Sequence, residues 1–515
     1  MELKIQKRYD IIIITVGVGL PIRPYGRDSM RFLFCSTHCV LLQLPGGRQM
    51  ITSLTIHGLR GFGEERTLQF AIPNGKSGGG LTIMGGANKS GKTTIFEALR
   101  SFNSPKDNPP SFSERKRNIK CENGKVHLLL KTTDIGDYKI DTIDSGGSTT
   151  TMCKVGDNED EWWEGPKVFV LQSRRFVDYE FHHSYMERSD YVRNQQMNIH
   201  NRTSSIYEFN ARLFKMQSNK ESFDALLQQV LGYDLEWTIE QNDNGTYYLK
   251  LIVNGCIHSS EGLGDGIWSV FTICDALYDS EPNSTIAIDE PELSLHPAYQ
   301  KRILKLFKEY AKDRQIIINT HSPYFVDMDS LIHGANLYRT IKNADGNIDV
   351  FLLSDESKRS IEGFLKNINQ PHTLGTEAKE MFFLEDRIII TEGQEDVIMY
   401  NKAVDAVNIP LNGTFFGWGS GGSSNIIKVA TILKDLGYKK VVAIFDGDKP
   451  TDQQLFNEQF PSYIGLIISA PDVRDKPSVN KPEKQGIMTQ GGKLKEPYRT
   501  EITELFTSIN GYFGS

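Results

Sequence analysis

Two groups of residues in this chain have the types and spacing needed to handle phosphates. The first is Gly86-Ala87-Asn88-Lys89-Ser90-Gly91-Lys92-Thr93, followed by Thr94, which fits G-x-x-x-x-G-K-[ST], the P-loop pattern. Gly86 and Gly91 let the backbone curl so that its N–H groups, with Asn88 and Ser90 between them, converge on a β-phosphate. Lys92 brings a point charge to the β/γ oxygens, and the Thr93 hydroxyl completes a Mg²⁺ shell. The alternative is a Gly/Ser/Lys surface loop that fits by accident. Against it, residues 81–84 read as a buried strand, and Ile95, Phe96, Ala98 and Leu99 read as one face of a helix. ATP with Mg²⁺ is therefore the expected cofactor. Residues 285–290 form an apolar strand ending in Asp289 and Glu290. Beside a P-loop, Asp289 would hold the Mg²⁺ water shell and Glu290 would polarise the attacking water. Taken alone, the pair is also what an ordinary acid-capped strand end looks like.

The second group lies in the last third of the chain. Residues 388–390 form a short apolar strand that leads to Glu392, and residues 441–445 form another that ends in Asp446-Gly447-Asp448. Asp446 and Asp448, two apart on a turn, can both face one cation. Hard oxygen ligands of this kind suit Mg²⁺ or Mn²⁺, which keep waters and grip phosphates. Singly, Glu392 could be a helix-capping acid and the aspartates a tight turn.

The elements that must position these groups can be read in outline. Strand-like runs at 51–56, 67–71, 126–131, 138–143 and 167–171 surround the P-loop. Residues 206–231 then show helical spacing (Phe209, Leu213, Met216, Phe223, Leu226, Leu227, Val230) up to Gly232. That stripe either serves a dimer contact or packs on its own domain. An amphipathic helix follows Pro297, and a strand at 315–319 leads into Thr320-His321-Ser322-Pro323. Residues 354–372 read as a polar helical bridge. Beyond it, three strands alternate with helices, including one after Gly419-Ser420-Gly421-Gly422. This pattern predicts a small parallel sheet with ligands at its carboxyl ends.

Composition sets the limits. With 515 residues, 39% hydrophobic and 24% charged, the chain has room for several domains, each with its own core. A net charge of −7 does not advertise nucleic-acid binding, although a basic groove can hide in such an average. The six cysteines are scattered and form no disulfide framework, which points to a reducing, cytoplasmic setting. Cys35 and Cys39, with His38 between them, could be half a zinc site, but no second pair follows. The apolar run at 11–22 is too short to span a bilayer, so no membrane association is expected. Residues 1–49 lack periodicity and read as an upstream extension, with Met50 opening the working protein.

Asp289, Glu290, the segment from Leu293 to Pro297 and His321 resemble, in order, the Walker B acids, D-loop and switch histidine of SMC/RecF-type ABC ATPases. Leu263-Gly264-Asp265-Gly266-Ile267 is similar to their signature segment, although it departs from the usual Leu-Ser-Gly-Gly wording. The resemblance implies a head-to-head homodimer, or a higher oligomer, in which Gly264 and Gly266 cap the partner's ATP. Glu392, Asp446 and Asp448 together resemble a Toprim domain, the metal-dependent fold of topoisomerases, primases and some nucleases. An SMC-like ATPase followed by Toprim resembles the OLD (overcoming lysogenization defect) family of nucleases linked to phage defence and in some cases to retrons.

That resemblance implies an α/β chain with these parts: an ABC-type ATPase domain at 50–353 with an insert at about 185–240, a helical linker at 354–380 and a Toprim domain at 381–515. It carries metal roles to Glu392, Asp396, Asp446 and Asp448. It offers Lys476, Lys484 or Lys493 as the group neutralising the transition-state phosphate. It implies ATP-controlled cleavage of DNA, with a retron reverse transcriptase and its nucleic acid as a partner. Two alternatives remain: a RecF-type DNA-binding ATPase without cleavage, and a Toprim nuclease acting on RNA or tRNA.

Overall fold

The computed structural model describes residues 4–8, 11–15, 31–34, 39–43, 50–104, 108–121, 124–133, 136–143, 147–156, 168–173, 183–191, 209–253, 255–259, 264–367, 373, 375–380, 383, 386–477 and 483–514. The P-loop strand, Leu81–Gly86, is buried along its whole length because it lies inside a six-stranded sheet. The strand order is Val168–Leu171, Thr285–Asp289, Gln315–Asn319, Leu81–Gly86, Asn336–Lys342, Ile348–Leu352. All neighbours are parallel except the last pair, a hairpin. Near-continuous apolar runs are what a sheet covered on both faces requires.

The two-residue period assigns the faces. Met84, Ala287 and Ile317 join the P-loop helix, Lys92–Ser101, through Ile95, Phe96 and Leu99. This layer is closed by an antiparallel sheet that includes Ile51–His57 and His127–Thr132. Ile83, Ile286, Ile288, Ile316 and Ile318 face the opposite way. There they meet the helices Phe209–Ser218, Lys220–Leu231, Asp265–Tyr278 and Pro297–Tyr310.

The stripe in the insert is therefore occupied. Phe223 packs edge-on to Trp237 and tilted against Phe271, 6.0 and 5.7 Å between ring centroids. Fully buried Arg212 pairs with Asp275 at 2.8 Å, fixing the insert to the helix Asp265–Tyr278. The apolar face of this stripe completes its own domain's core. The expected dimer region also includes residues 192–208, which lie outside the described residues.

Residues 1–49, expected to be patternless, carry four strands (Lys4–Arg8, Ile11–Thr15, Arg31–Phe34, Cys39–Gln43) paired antiparallel. Four consecutive isoleucines at 11–14 favour a strand while hiding the alternation that would reveal it. Cys35 and His38 lie outside the described residues.

The C-terminal sheet is parallel, ordered Thr414–Phe415, Ile388–Ile390, Val441–Phe445, Ile464–Ile467. It is flanked by the helices Gln394–Val407, Ser423–Asp435, Pro450–Gln459 and Arg499–Gly514. It docks directly on the hairpin of the first sheet. Arg339, buried at 5% exposure, donates to the Leu436 carbonyl at 3.0 Å and lies 3.7 Å over the Tyr438 ring. Ser354 and Ser357 donate to Asp435. Gly437, at φ +73, fits under Phe351, whose ring a Cβ would meet at 2.5 Å. The helix Asp355–Lys366 buries Ile361 and Phe364 in a core that continues into both sheets.

Candidate functional site

The first site sits at the carboxyl ends of three adjacent strands. Its loop turns through positive φ at Gly86 (138°), Lys89 (65°) and Gly91 (92°). At Gly86 a side chain is excluded outright, since a Cβ would lie 2.4 Å from the Thr340 carbonyl. The Ser90 and Thr340 hydroxyls are hydrogen-bonded at 2.6 Å, pinning the loop to the neighbouring strand. Asn88 is exposed, Thr93 half-buried and Thr94 buried.

Lys92 folds back, its ammonium donating to Gly86 O (2.8 Å), Ala87 O (3.0 Å) and Ser90 Oγ (3.3 Å). All three acceptors are neutral, and burial lowers the lysine to about 8 against the pull of Glu290 and Asp289. A buried ammonium whose hydrogen-bond acceptors are neutral fits a polyphosphate.

Asp289, buried at the end of its strand, accepts from Asn319 Nδ2. Glu290 follows at φ +48, a left-handed conformation unusual for a side chain-bearing residue. His321 Nε2 stands 3.9 Å from Glu290 Oε1. Burial and nearby Lys92 lower that imidazole to about 4, so it is neutral at pH 7. Gly264 and Gly266 open the helix Asp265–Tyr278 beside Ser294, whose carbonyl a Cβ on Gly266 would approach to 2.7 Å. Leu263 and the three residues before it lie outside the described residues. Glu292 was not singled out in the sequence; it accepts from both Thr320 Oγ1 (2.8 Å) and His321 N (2.6 Å).

The second site is built where the C-terminal strands end. Glu392 Oε1 accepts from Asp446 N at 3.3 Å, and Asp396, in the first turn of the next helix, accepts from Gly393 N at 2.8 Å. Asp446, Asp396 and Asp472 are all under 9% exposed. Burial first, then Asp396, Glu392 and Asp472, push Asp446 up to about 9. Burial, Glu392 and Asp472 likewise raise Asp396 to about 7, and burial raises Glu392. These carboxylates strain against one another, the condition a cation relieves.

Among the described residues no three His, Cys, Asp or Glu side chains form a preassembled metal cage. Asp446 is buried, whereas Asp448 lies at the surface. Asp448 turns outward to Lys484 at 2.6 Å, across Gly447, where a Cβ would collide with the carbonyls of Ala470, Ile468 and Ser469. Lys476 holds Asp472 at 2.6 Å and Glu395 at 3.4 Å, and Lys484 also lies 3.8 Å from Asp472. The ammonium groups thus pair with Asp448, Asp472 and Glu395. The donor set is that of a hard divalent cation.

The family profile described as "AAA domain, putative AbiEii toxin, Type IV TA system" matches residues 163–327, the span holding Asp289, Glu290 and His321. The OLD nuclease of Thermus scotoductus is 23% identical over 439 residues, covering 74% of this chain and 80% of that protein. That share exceeds residues 1–353, so the similarity enters the C-terminal unit wherever it begins. The chain is a homologue of the OLD nucleases. The homology extends to the Septu protein PtuA of Bacillus thuringiensis, 25% identical over 283 residues, 48% of this chain and 67% of that one. The SMC head domain from Thermotoga maritima covers 59% of this OLD-nuclease homologue and 99% of its own chain, at 15% identity and a TM-score of 0.35. The parallel strand order around the P-loop strand is that of a P-loop ATPase. Among the described residues no helix is long and apolar enough to cross a membrane.

Proposed function

We propose that this OLD-nuclease homologue is an ATP-controlled, divalent-metal-dependent DNA endonuclease of phage defence, whose C-terminal sheet is a Toprim domain. The observation that carries the reading is the cluster of Glu392, Asp396, Asp446 and Asp472 at the ends of parallel strands, fused through Arg339 to a sheet whose next residue, Thr340, holds the P-loop. Lys92, Thr93 and Asp289 would hold ATP with its Mg²⁺, and Glu290 would orient the attacking water, with neutral His321 beside it. Glu392, Asp396, Asp446 and Asp448 would hold Mg²⁺ or Mn²⁺, which when bound supplies Lewis-acid stabilisation of the scissile phosphate. Lys484, which reaches both Asp448 and Asp472, would be the lysine that meets a substrate phosphate. Lys476 is braced between Asp472 and Glu395 and orders the cluster.

ATP-dependent pairing of two heads through Gly264 and Gly266 completes the reading. The test is incubation of the full chain with plasmid, linear DNA and RNA, with and without Mg²⁺ or Mn²⁺ and ATP. DNA cleavage that needs metal supports the proposal. RNA cleavage alone moves the substrate, and DNA binding without cleavage supports the clamp-like alternative.

Stability provides a second check. Asp446 and Asp396 are raised in the folded protein, so the metal-free native state holds protons that the unfolded chain has released. Their contribution is fully present below the ordinary carboxylate range and is lost as pH rises through about 7 and about 9. The melting temperature in EDTA should therefore fall from pH 5 to pH 9. Mg²⁺ should restore more of it at pH 8.5 than at pH 6, and Asp446→Asn should flatten the profile. A melting temperature equally insensitive to metal at both pH values would count against a cation site here.

A further inference from the structure

We infer that Glu292 is a positioning residue for ATP hydrolysis, acting by holding the backbone of His321 so that the imidazole stands against Glu290; this rests on the ATPase reading above. Glu292 lies two residues beyond Glu290, in the turn Pro291-Glu292-Leu293-Ser294-Leu295. Its two oxygens are used separately. Oε1 accepts the His321 N–H at 2.6 Å, and Oε2 accepts the Thr320 hydroxyl at 2.8 Å.

The attachments around it close a ring. Thr320 Oγ1 accepts from Ser322 N at 3.0 Å, and the Ser322 hydroxyl donates to Gln300 Oε1 at 2.6 Å. Gln300 Nε2 donates to the Leu295 carbonyl at 2.8 Å, and Leu295 N returns to the Glu292 carbonyl at 3.0 Å. The far side of the ring is Glu290 itself, whose N–H donates to Asn319 O at 2.8 Å and whose carboxylate is 3.9 Å from His321 Nε2. Glu290 and His321 come from different strands. Glu292 is the side chain that spans from the turn after the first strand to the loop after the second.

The geometry makes reach, rather than charge, the requirement. Two acceptor atoms must arrive at two donors on consecutive residues. Glutamine keeps the length, one carbonyl acceptor for His321 N–H, and an amide that the Thr320 hydroxyl can rotate to accept. Aspartate keeps the charge and loses a methylene. Alanine leaves both donors to water and frees the His321 backbone.

The experiment is steady-state ATP hydrolysis by the full chain carrying Glu292→Ala, Glu292→Gln, Glu292→Asp, His321→Ala, the Glu292→Ala/His321→Ala double change, and Glu290→Gln as control. Expected for Glu292→Ala is a kcat lower by about ten- to hundred-fold, the scale of a misplaced reacting group, with KM for ATP within about two-fold. Glu292→Gln should recover most of the rate and Glu292→Asp little of it. The double variant should be no slower than His321→Ala alone.

Wild-type kcat in Glu292→Ala, losses that multiply in the double variant, a KM that rises as much as kcat falls, or better rescue by aspartate than by glutamine would each overturn the assignment. If Glu292→Ala does not fold, the ranking of glutamine over aspartate decides. If Glu290→Gln hydrolyses ATP at the wild-type rate, the ATPase reading fails first. Glu290→Gln inactive beside Glu292→Ala intact defeats only this inference.

Discussion

Asp446→Asn is expected to lower nucleic-acid cleavage by about a thousand-fold while ATP hydrolysis stays within about two-fold of wild type. Asp446 is the carboxylate at which the others converge: it is buried, its backbone N–H holds Glu392, and Asp396, Glu392 and Asp472 all raise it. Asparagine matches its volume and cannot become an anion, so a cation placed among the remaining acids loses its central charge without a packing defect. Glu392→Gln should follow it. Asp448→Ala should be the mildest of the three in metal binding, because Asp448 already leans out to Lys484, yet it should still disable cleavage, because Lys484 then loses the carboxylate that positions it. Parallel assays of both activities on purified variants decide the matter. Cleavage that persists in Asp446→Asn combined with Glu392→Gln, or that proceeds in EDTA, would show that the chemistry lies elsewhere.

Lys92→Ala should abolish ATP binding. In wild type, ATP at about one hundred times its Kd stabilises the fold by about 2.7 kcal/mol. The variant should show no thermal shift at the same concentration. The ammonium already lies inside the loop, 2.8 and 3.0 Å from two of its carbonyls, and burial lowers its affinity for protons, which a bound polyphosphate would raise again. Glu290→Gln should separate binding from turnover, keeping the thermal shift and losing hydrolysis, because its carboxylate would act on water rather than on bound phosphate. Equal ATP affinity in wild type and Lys92→Ala, measured by calorimetry, would remove the P-loop assignment.

Legibility followed the range of the interactions. The P-loop is read from eight consecutive residues because its chemistry is local: the glycines, Lys92 and Thr93 would serve one ligand from one turn. Asp289, Glu290 and His321 are legible as strand ends, since apolar runs mark where each strand must stop. Glu392 and Asp446 are legible for the same reason, although 54 residues separate them. What escaped the sequence depends on distant partners of ordinary type. Glu292 reads as one acid among several until Thr320 and His321 are beside it, and Glu395 does so until it meets Arg474 at 2.6 Å. Arg339 reads as a polar interruption of a strand, yet its partners are a carbonyl and a ring almost a hundred positions away. The hairpin around Glu236–Gln241 and Tyr247–Val253 was missed because its mixed aromatic and polar residues give no clean period.

The way the C-terminal sheet sits on the hairpin bears on how such chains can be reshuffled. A nuclease unit attached by a loose tether could be exchanged among ATPases as a cassette, with selection acting on each part alone. Here the seam runs through a glycine under a phenylalanine ring, an arginine against a tyrosine face and two serines on one aspartate, with Phe364 and Ile390 in one apolar body. A recombination break at residue 353 would deliver halves whose complementary surfaces have no counterpart in a new host. Moving the C-terminal sheet onto another ATPase should therefore require its hairpin and the helix Asp355–Lys366 to travel with it.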